Sequence, residues 1–227
     1  MTIIPWSERG SPTRLPPAQL ADRLIGAWRA EVGIDPPREI AELLLAQVIL
    51  ETDWSRAMWR FNWGNITAGA NWTGDSLRPP WFEEPGPDAT AKIKKLHAEM
   101  LVGKAPKAFR VYPSHEAGSR DYVRLLHTKF SPMLVAAATG DPRAFGEAVR
   151  KTRYCPDCGD TFERSLRSVQ TQIRDAGWFS GLSSGLDSSH SRSRIGGAVS
   201  AVALVALAAA AAYGVHKALP RRQHARS

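Results

Sequence analysis

The stretch that decides the fold of this chain is Leu43–Thr67, "LLLAQVILETDWSRAMWRFNWGNIT". It opens with an almost wholly apolar run that leaves little polar face, so we expect a helix buried in the core. The run ends at one carboxylate, Glu51, and continues as a loop that contains Trp54, Trp59 and Trp63. Burial at the rim of such a helix disfavours the charged form of a carboxylate. The stretch therefore predicts a central helix that ends on an acid with a raised pKa.

Two helices are predicted at the N-terminal end of the domain. Apolar residues recur at helical spacing from Pro17 to Val32, and Gly33 is a suitable stop. Asp35 then fits an N-cap, with Pro36 at the first helical position. We expect the central helix to begin there and to run to about Glu51.

The sequence changes character after this helix and its loop. From Asn62 to about Tyr112, Gly, Pro, Asn, Thr and aromatic residues dominate, which predicts long loops with a small irregular β-region. Ser114 is placed to cap the next helix, and further helices fit Pro142–Lys151 and Thr161–Ala176. Helices, a small β insertion and then helices again predict an α+β domain, mainly helical, around one buried helix.

The composition limits the kinds of partner. The chain has 227 residues, 43% of them hydrophobic, which is enough for one well-cored domain with appendages. Its formal net charge is +8, of which +3 falls in residues 1–180 and +5 in the remainder. The globular part shows no basic clustering, so we expect no nucleic-acid partner. The first residues lack a basic region followed by an apolar one, which predicts no secretory signal peptide.

The C-terminal part predicts a membrane anchor. Residues 181–194 are rich in Gly and Ser, and residues 195–215 contain no charged side chain. Such a segment can cross a bilayer core of roughly 30 Å, and basic residues flank it on both sides. The alternative is an alanine-rich helix outside the membrane. More Lys and Arg follow the segment than precede it, which favours a cytoplasmic C-terminus. The predicted organisation is an irregular arm at 1–16, the domain at 17–180, a linker at 181–194, a transmembrane helix at 195–215 and a basic tail at 216–227.

An acid in this setting fits the chemistry of glycoside hydrolysis. A general acid must keep its proton near neutral pH and deliver it to the glycosidic oxygen, which a desolvated carboxyl can do. Tryptophans beside it serve as apolar walls and as surfaces on which sugar rings stack. The same residues also fit a solvated glutamate at a helix end, with tryptophans filling the core. The pattern alone leaves both interpretations of Glu51 open.

Three blocks of the sequence resemble one family. "LAQVILETDWSRA" with "FNWGNI", then "FRVYPSHEAGSRDYVRLL", then Tyr154 with "TFERSL" occur in that order and cover roughly residues 36–176. Together they resemble the N-acetyl-β-glucosaminidases of glycoside hydrolase family 73, the flagellar-muramidase type of bacteria and phages. The resemblance implies a lysozyme-like α+β fold with a small irregular β-lobe, and peptidoglycan glycan strands as the substrate.

The resemblance also implies roles for particular residues. Glu51 matches the family's general acid, and Tyr154 matches a tyrosine that faces the sugar. A second carboxylate is expected from the β-lobe, where Glu84 is our first choice and the rivals are Glu83, Asp75 and Asp88. A carboxylate on such a loop leaves room for a water molecule and favours base assistance. The side chains expected to bind the substrate are Trp54, Asn62, Trp63, Asn65 and Tyr112. We expect no cofactor and no metal.

The chain departs from the family pattern at two places. Asp53 and Ser55 stand where the family has glycines on either side of a tryptophan, and the carboxylate of Asp53 either acts on the acid or points to solvent. The block around Tyr154 has an insertion with Cys155 and Cys158 in "CPDC". This spacing is half of a zinc ribbon, and it also fits reduced thiols or a local disulfide that fixes the loop carrying Tyr154.

These observations predict a peptidoglycan hydrolase, anchored in a bacterial inner membrane or a virion membrane and acting on the wall side. An architecture without an export signal suits delivery with a phage particle or release at lysis. Two other functions stay open. A lytic transglycosylase uses the same acid without water and gives anhydro-muropeptides. A non-catalytic virion protein binds wall material without turnover.

Overall fold

The computed structural model describes residues 1–103, 108–156 and 158–185. The predicted transmembrane helix at 195–215 and the basic tail at 216–227 lie outside these residues. Within the described ranges, no helix is both long enough and apolar enough to cross a membrane.

Helices dominate the described chain, and a small sheet accompanies them. The helices are α1 Pro17–Val32, α2 Arg38–Thr52, α3 Ala91–Leu101, α4 His115–Thr128, α5 Ser131–Ala137, α6 Pro142–Lys151 and α7 Asp160–Asp175. The strands are β1 Ile3–Ile4, β2 Ser76–Leu77 and β3 Phe109–Arg110. They lie in that order across the sheet, with β1 and β2 parallel and β2 and β3 antiparallel. The predicted α+β class, mainly helical with a small β-region, is confirmed.

The chain divides into two compact units. The first unit holds residues 1–34 and 45–123, and the second holds residues 35–44 and the chain from 124 onward. The three strands and helices α1 and α3 belong to the first unit, helices α5, α6 and α7 belong to the second, and helix α4 passes from the first unit to the second after Val123. The residues of helix α2 up to Leu44 belong to the second unit, and the rest of the helix, including Glu51, belongs to the first.

Most helix boundaries follow the signals in the sequence. Helix α1 ends as predicted because Gly33 takes a left-handed conformation, with φ 87°. Ser114 caps helix α4, since its hydroxyl accepts a hydrogen bond from the backbone N–H of Ala117 at 3.2 Å. Helices α6 and α7, at Pro142–Lys151 and Asp160–Asp175, lie within one residue of the predicted ranges.

The predicted start of helix α2 is wrong. The helix begins at Arg38 rather than at Pro36, and the N–H of Ala41 donates to the carbonyl of Pro37 at 3.1 Å. A proline disfavours the α conformation in the residue before it, so Pro37 keeps Pro36 out of the helix. Asp35 lies too far upstream to cap a helix that starts at Arg38.

The N-terminal arm, expected to be irregular, carries the first strand. The backbone N–H of Ser76 donates to the carbonyl of Thr2 at 3.0 Å. The arm also packs through its side chains, because the guanidinium of Arg9 lies 4.8 Å from the ring centroids of both Trp6 and Trp59. Thr2 and Ser76, like Arg9 and Trp59, are far apart in the chain, so no local sequence pattern could predict that they meet.

A helix also lies within the region predicted as loops. Helix α3 is capped by Thr90, whose side-chain oxygen accepts from the N–H of Ile93 at 3.3 Å. Its apolar residues Ile93, Leu96 and Met100 recur at helical spacing. The prediction of loops throughout this region is therefore wrong at helix α3. The amphipathic stretch is short, and the surrounding Gly and Pro residues are typical of loops.

Two buried carboxylates of helix α2 organise the second unit. Glu42 accepts a hydrogen bond from Nε of Arg174 at 2.7 Å. Glu39 accepts hydrogen bonds from the hydroxyl of Ser184 and, at 3.0 Å, from the backbone N–H of Gly185. Residues at the start of the predicted linker are therefore bound to this unit, and the boundary predicted at residue 180 comes too early.

Two helical glycines provide a matched test of packing in the first unit. A Cβ added to Gly118 in helix α4 would come within 3.0 Å of the backbone oxygen of Phe61, whereas one added to Gly26 in helix α1 meets nothing within 4 Å. We expect Gly118→Ala to lower the free energy of unfolding by about 2 kcal/mol or more. We expect Gly26→Ala to raise it by about 1 kcal/mol. Denaturant unfolding followed by circular dichroism measures both, and effects of the same sign would contradict this packing.

Candidate active site

Glu51 lies on the last turn of helix α2, where the buried part of the helix ends. The four residues from Ala46 to Ile49 are at most 1% exposed. Loss of hydration raises the pKa of the Glu51 carboxyl above its ordinary value of 4.5, and a hydrogen bond from Asn65 opposes part of this effect. The carboxyl therefore keeps its proton to a higher pH than a surface glutamate does.

Three consecutive left-handed residues turn the chain after helix α2. Asp53, Trp54 and Ser55 have φ values of 47°, 55° and 64°, a conformation that favours glycine. This chain forms the turn without glycine by anchoring it. The Ser55 hydroxyl accepts from the N–H of Leu15 at 3.0 Å and donates to the carbonyl of Leu15 at 2.9 Å. Asp53 pairs with Arg56 at 2.6 Å on the surface, so its carboxylate points to solvent rather than to the acid.

The loop after this turn brings a polar side chain to the acid. Asn62 is buried, and its amide donates to the carbonyls of Ile66 at 2.9 Å and Arg110 at 3.1 Å, while its oxygen accepts from the N–H of Ile66 at 2.7 Å. On the loop fixed in this way, the Nδ2 of Asn65 donates to the backbone carbonyl of Glu51 and reaches Oε2 of the same residue at 3.3 Å. Asn65 thus lies beside the acid. The expectation that Asn62 contacts substrate is corrected, because its buried amide is used to hold the loop.

The predicted sugar-stacking tryptophans are of two kinds. Trp63 is 0% exposed, and its ring packs edge-on against His115 with the centroids 6.2 Å apart. It supports the loop from inside, so the expectation that it stacks on a sugar is corrected. Trp54 keeps part of its surface exposed, in the turn directly after the acid, as does Trp59 further along. Trp6 and Arg9 pack against the ring of Trp59, so Trp54 is the better candidate for stacking on a sugar.

Tyr112 is held within the first unit. Its hydroxyl donates to Oδ2 of Asp121 at 2.6 Å, and Nη1 of Arg110 donates to the same oxygen at 2.7 Å. Burial raises the pKa of Tyr112, and the hydrogen bond to Asp121 raises it further. The ring is 5% exposed. The expectation that Tyr112 binds substrate is corrected, because it joins the β3 segment to helix α4.

Two polar residues beneath the acid were not expected from the motifs. Gln47 in helix α2 and Tyr122 in helix α4 are both 0% exposed, and the Tyr122 hydroxyl donates to Oε1 of Gln47 at 2.7 Å. Burial raises the pKa of Tyr122, and the nearby charge of Glu51 adds to this effect. The signal in the sequence is the spacing of Gln47 and Glu51, which are four residues apart and share one face of helix α2.

The candidates for a second carboxylate lie at the surface of the first unit. Glu83, Glu84 and Asp88 are exposed in the segment between β2 and α3. Asp75 accepts a hydrogen bond from the backbone N–H of Thr2 at 2.6 Å, so it is held by the N-terminal arm. The preference for Glu84 stays a prediction.

Tyr154 belongs to the second unit, in the loop between helices α6 and α7. Its ring packs edge-on against Phe130 with the centroids 5.0 Å apart. Cys155 and Cys158 form a disulfide, one of the outcomes left open by the sequence. Nη1 of Arg150 donates to the carbonyl of Cys158 at 3.3 Å. These contacts fix the loop that carries Tyr154, whose role stays a prediction. In the part of the chain that the structure describes, no group of three or more His, Cys, Asp or Glu residues could hold a metal ion.

Comparison with known proteins finds likeness in fold. No protein-family model matches the chain, and no curated protein matches it. The chain is similar to a crystal structure of a peptidoglycan hydrolase mutant from Sphingomonas sp. A1, with 20% identity, 72% of this chain and 99% of that chain covered, and a TM-score of 0.46. It is also similar to the glycoside hydrolase domain of Salmonella typhimurium FlgJ, with 24% identity, coverage of 76% and 92%, and a TM-score of 0.40.

The raised pKa of Glu51 has a consequence for stability. Well below pH 4.5 the carboxyl is neutral in both the folded and the unfolded chain. As the pH rises through the folded-state pKa, the unfolded chain ionises more readily, so the folded state loses stability. We therefore expect Glu51→Gln to raise the unfolding temperature at pH 7 and to leave it almost unchanged at pH 4.

Thermal unfolding at the two pH values measures this difference. Glu84→Gln, in an exposed loop, is the control and should change the unfolding temperature little at either pH. A Glu51→Gln variant that is no more stable than the parent at pH 7 would show that burial does not raise the pKa of this carboxyl.

Proposed function

We propose that this chain is a peptidoglycan-cleaving glycosidase of the N-acetyl-β-glucosaminidase type, with Glu51 as its general acid. The observation that carries the proposal is the position of Glu51, a carboxyl at the end of a buried helix whose loss of hydration raises its pKa. The substrate class comes from the sequence resemblance, in which Glu51 occupies the place of the family's acid.

The proposed reaction begins with proton transfer from Glu51 to the glycosidic oxygen. The bond between that oxygen and the sugar carbon then breaks, the electron pair leaves with the oxygen, and positive charge develops on the sugar. Glu51 is left as a carboxylate, and the amide of Asn65, 3.3 Å from its Oε2, is placed to stabilise that charge. A water molecule completes hydrolysis by adding to the sugar carbon.

Activation of that water is assigned to Glu84. Glu84 is exposed on a loop of the first unit, and such a group can approach a bound glycan without the desolvation that affects Glu51. Asp75 is less suited because the N–H of Thr2 already holds it. The 2-acetamido group of the substrate can also assist departure of the leaving group. We further propose that Trp54 stacks on a sugar ring and that Tyr154 faces the substrate.

We also propose that residues 195–215 anchor the protein in a bilayer, with the domain on the wall side. The support is the uncharged run and its basic flanks. In vesicle flotation, the full chain should rise with vesicles of phosphatidylethanolamine and phosphatidylglycerol, and a variant lacking residues 195–215 should stay at the bottom. Equal behaviour of the two chains would contradict anchoring.

Association with a phage particle stays a prediction, which mass spectrometry of purified virions would test.

The glycosidase proposal is tested with the full chain in mild detergent on purified peptidoglycan. We expect soluble products from the parent chain and a loss of about a thousandfold in rate for Glu51→Gln, because general acid catalysis contributes about 10²–10⁴-fold. The matched control is Asp53→Asn, which removes a carboxylate two residues away that points to solvent. It should retain most of the activity.

Mass spectrometry after borohydride reduction identifies the reaction. Reducible ends that carry N-acetylglucosamine would establish the proposed hydrolysis. Products lighter by one water and resistant to reduction would identify a lytic transglycosylase that uses the same acid. Folded protein that binds peptidoglycan and releases nothing would overturn the enzyme proposal in favour of a wall-binding role.

A further inference from the structure

The interior face of Glu51 is formed by a polar pair. Gln47 lies one helical turn before Glu51 on the same face of helix α2. Tyr122, from helix α4, donates its hydroxyl hydrogen to Oε1 of Gln47 at 2.7 Å. Both side chains are 0% exposed. Buried polar groups are normally kept only where hydrogen bonds satisfy them, so each donor and acceptor of this pair is expected to have a partner.

One donor of the pair has no partner in the described chain. Among the described residues, the Nε2 of Gln47 is a buried atom with no hydrogen-bond partner. In this orientation the other end of the amide accepts from the Tyr122 hydroxyl at 2.7 Å. A buried amide donor without a partner destabilises the fold, and a partner gained in another state of the protein would offset that cost.

The second state is supplied by Glu51. The neutral acid has its Oε2 3.3 Å from the amide of Asn65 on the outer side. When the acid loses its proton, its oxygens become acceptors only and can take further donors. Gln47, one turn earlier on the same helix face, carries a donor that has no partner in the described part of the structure.

We propose that Gln47 is a positioning residue for Glu51: its Nε2 donates to the Glu51 carboxylate once the proton has gone to the substrate, and Tyr122 holds the amide in that orientation. Its part in catalysis rests on the proposed function of Glu51, whereas the contact itself does not. Asn65 from the solvent side and Gln47 from the interior side would then hold the carboxylate between two amides. The proton later returns to Glu51 from water, which breaks the bond to Gln47 again.

Few charged groups compete with this arrangement. From helix α4, Tyr122 is the titratable residue linked to Glu51, whose charge raises the pKa of the Tyr122 hydroxyl in addition to burial. In the turn that follows helix α2, Asp53 and Arg56 are paired with each other at 2.6 Å on the surface. Asn65, on the remaining side, is uncharged.

The test measures the pKa of Glu51 directly. The full chain in detergent, with ¹³C-labelled glutamate, is titrated by NMR, and the Glu51 signal is identified by its absence in Glu51→Gln. Gln47→Met removes the amide at similar volume. Because a donor to the charged form lowers the pKa of an acid, its loss should raise the pKa of Glu51 by about one pH unit, a tenfold change in ionisation. Tyr122→Phe should shift it in the same direction by less.

The control is Gln170→Met. Gln170 is also a buried glutamine, but it lies in the second unit, where its amide donates to Glu42 at 3.2 Å. It should destabilise the fold without moving the pKa of Glu51. An unchanged pKa of Glu51 in folded Gln47→Met and Tyr122→Phe would overturn the proposal. If only one of these variants folds, the other decides.

Activity separates this proposal from the proposed function. In an active enzyme, the alkaline limb of the pH profile of kcat/KM should move upward with the NMR value in Gln47→Met. A shift of the NMR value in a chain without activity would support the Gln47 contact and overturn the glycosidase. Activity together with an unchanged alkaline limb and an unchanged NMR pKa of Glu51 would support the glycosidase and overturn the Gln47 contact.

Discussion

The structure depends on the removal of water from one end of one helix. Helix α2 buries almost every side chain from Ile40 to Ile49, and each fully buried Leu, Ile or Val contributes roughly 1.5–3 kcal/mol of stabilisation. This apolar contact offsets the cost of ending the helix on Glu51, whose carboxyl loses hydration there. The same burial that stabilises the core therefore produces an acid that keeps its proton to a higher pH than a surface glutamate does, which is the direction of shift that a general acid needs.

The surrounding segments serve to hold that carboxyl in place. The left-handed turn at Asp53–Ser55 moves the chain away from the helix within three residues, and the hydroxyl of Ser55 fastens it to the N-terminal arm. The buried amide of Asn62 fixes the next loop so that Asn65 meets the acid from outside. Ser55 and Asn62 thus use their polar groups to hold the loops beside the acid and not to bind a substrate.

Much of the framework could be predicted because it depends on short-range rules. Apolar periodicity located α1, α6 and α7, and the Gly33 stop and Ser114 cap acted as their residue types indicate. The start of α2 was not predicted correctly because Pro37 overrides the capping signal at Asp35 and Pro36. Helix α3 was missed because its short apolar repeat lies in a region rich in Gly and Pro. Strand β1 pairs with β2, Ile3 opposite Ser76, although the two lie far apart in the sequence, and a local pattern carries no information on such a partner.

The sequence by itself determined that a buried helix ends on Glu51 and that aromatic residues follow, since composition and spacing alone establish both. It also contained the motifs that name a family. Only the tertiary structure decided which polar residues serve the acid. Asn65 meets it, Asn62 is turned inward, and Gln47 acquires importance because Tyr122 comes from another helix to orient it. The reason is physical: a hydrogen bond requires two groups within about 3 Å, and only folding brings residues far apart in the chain to that distance.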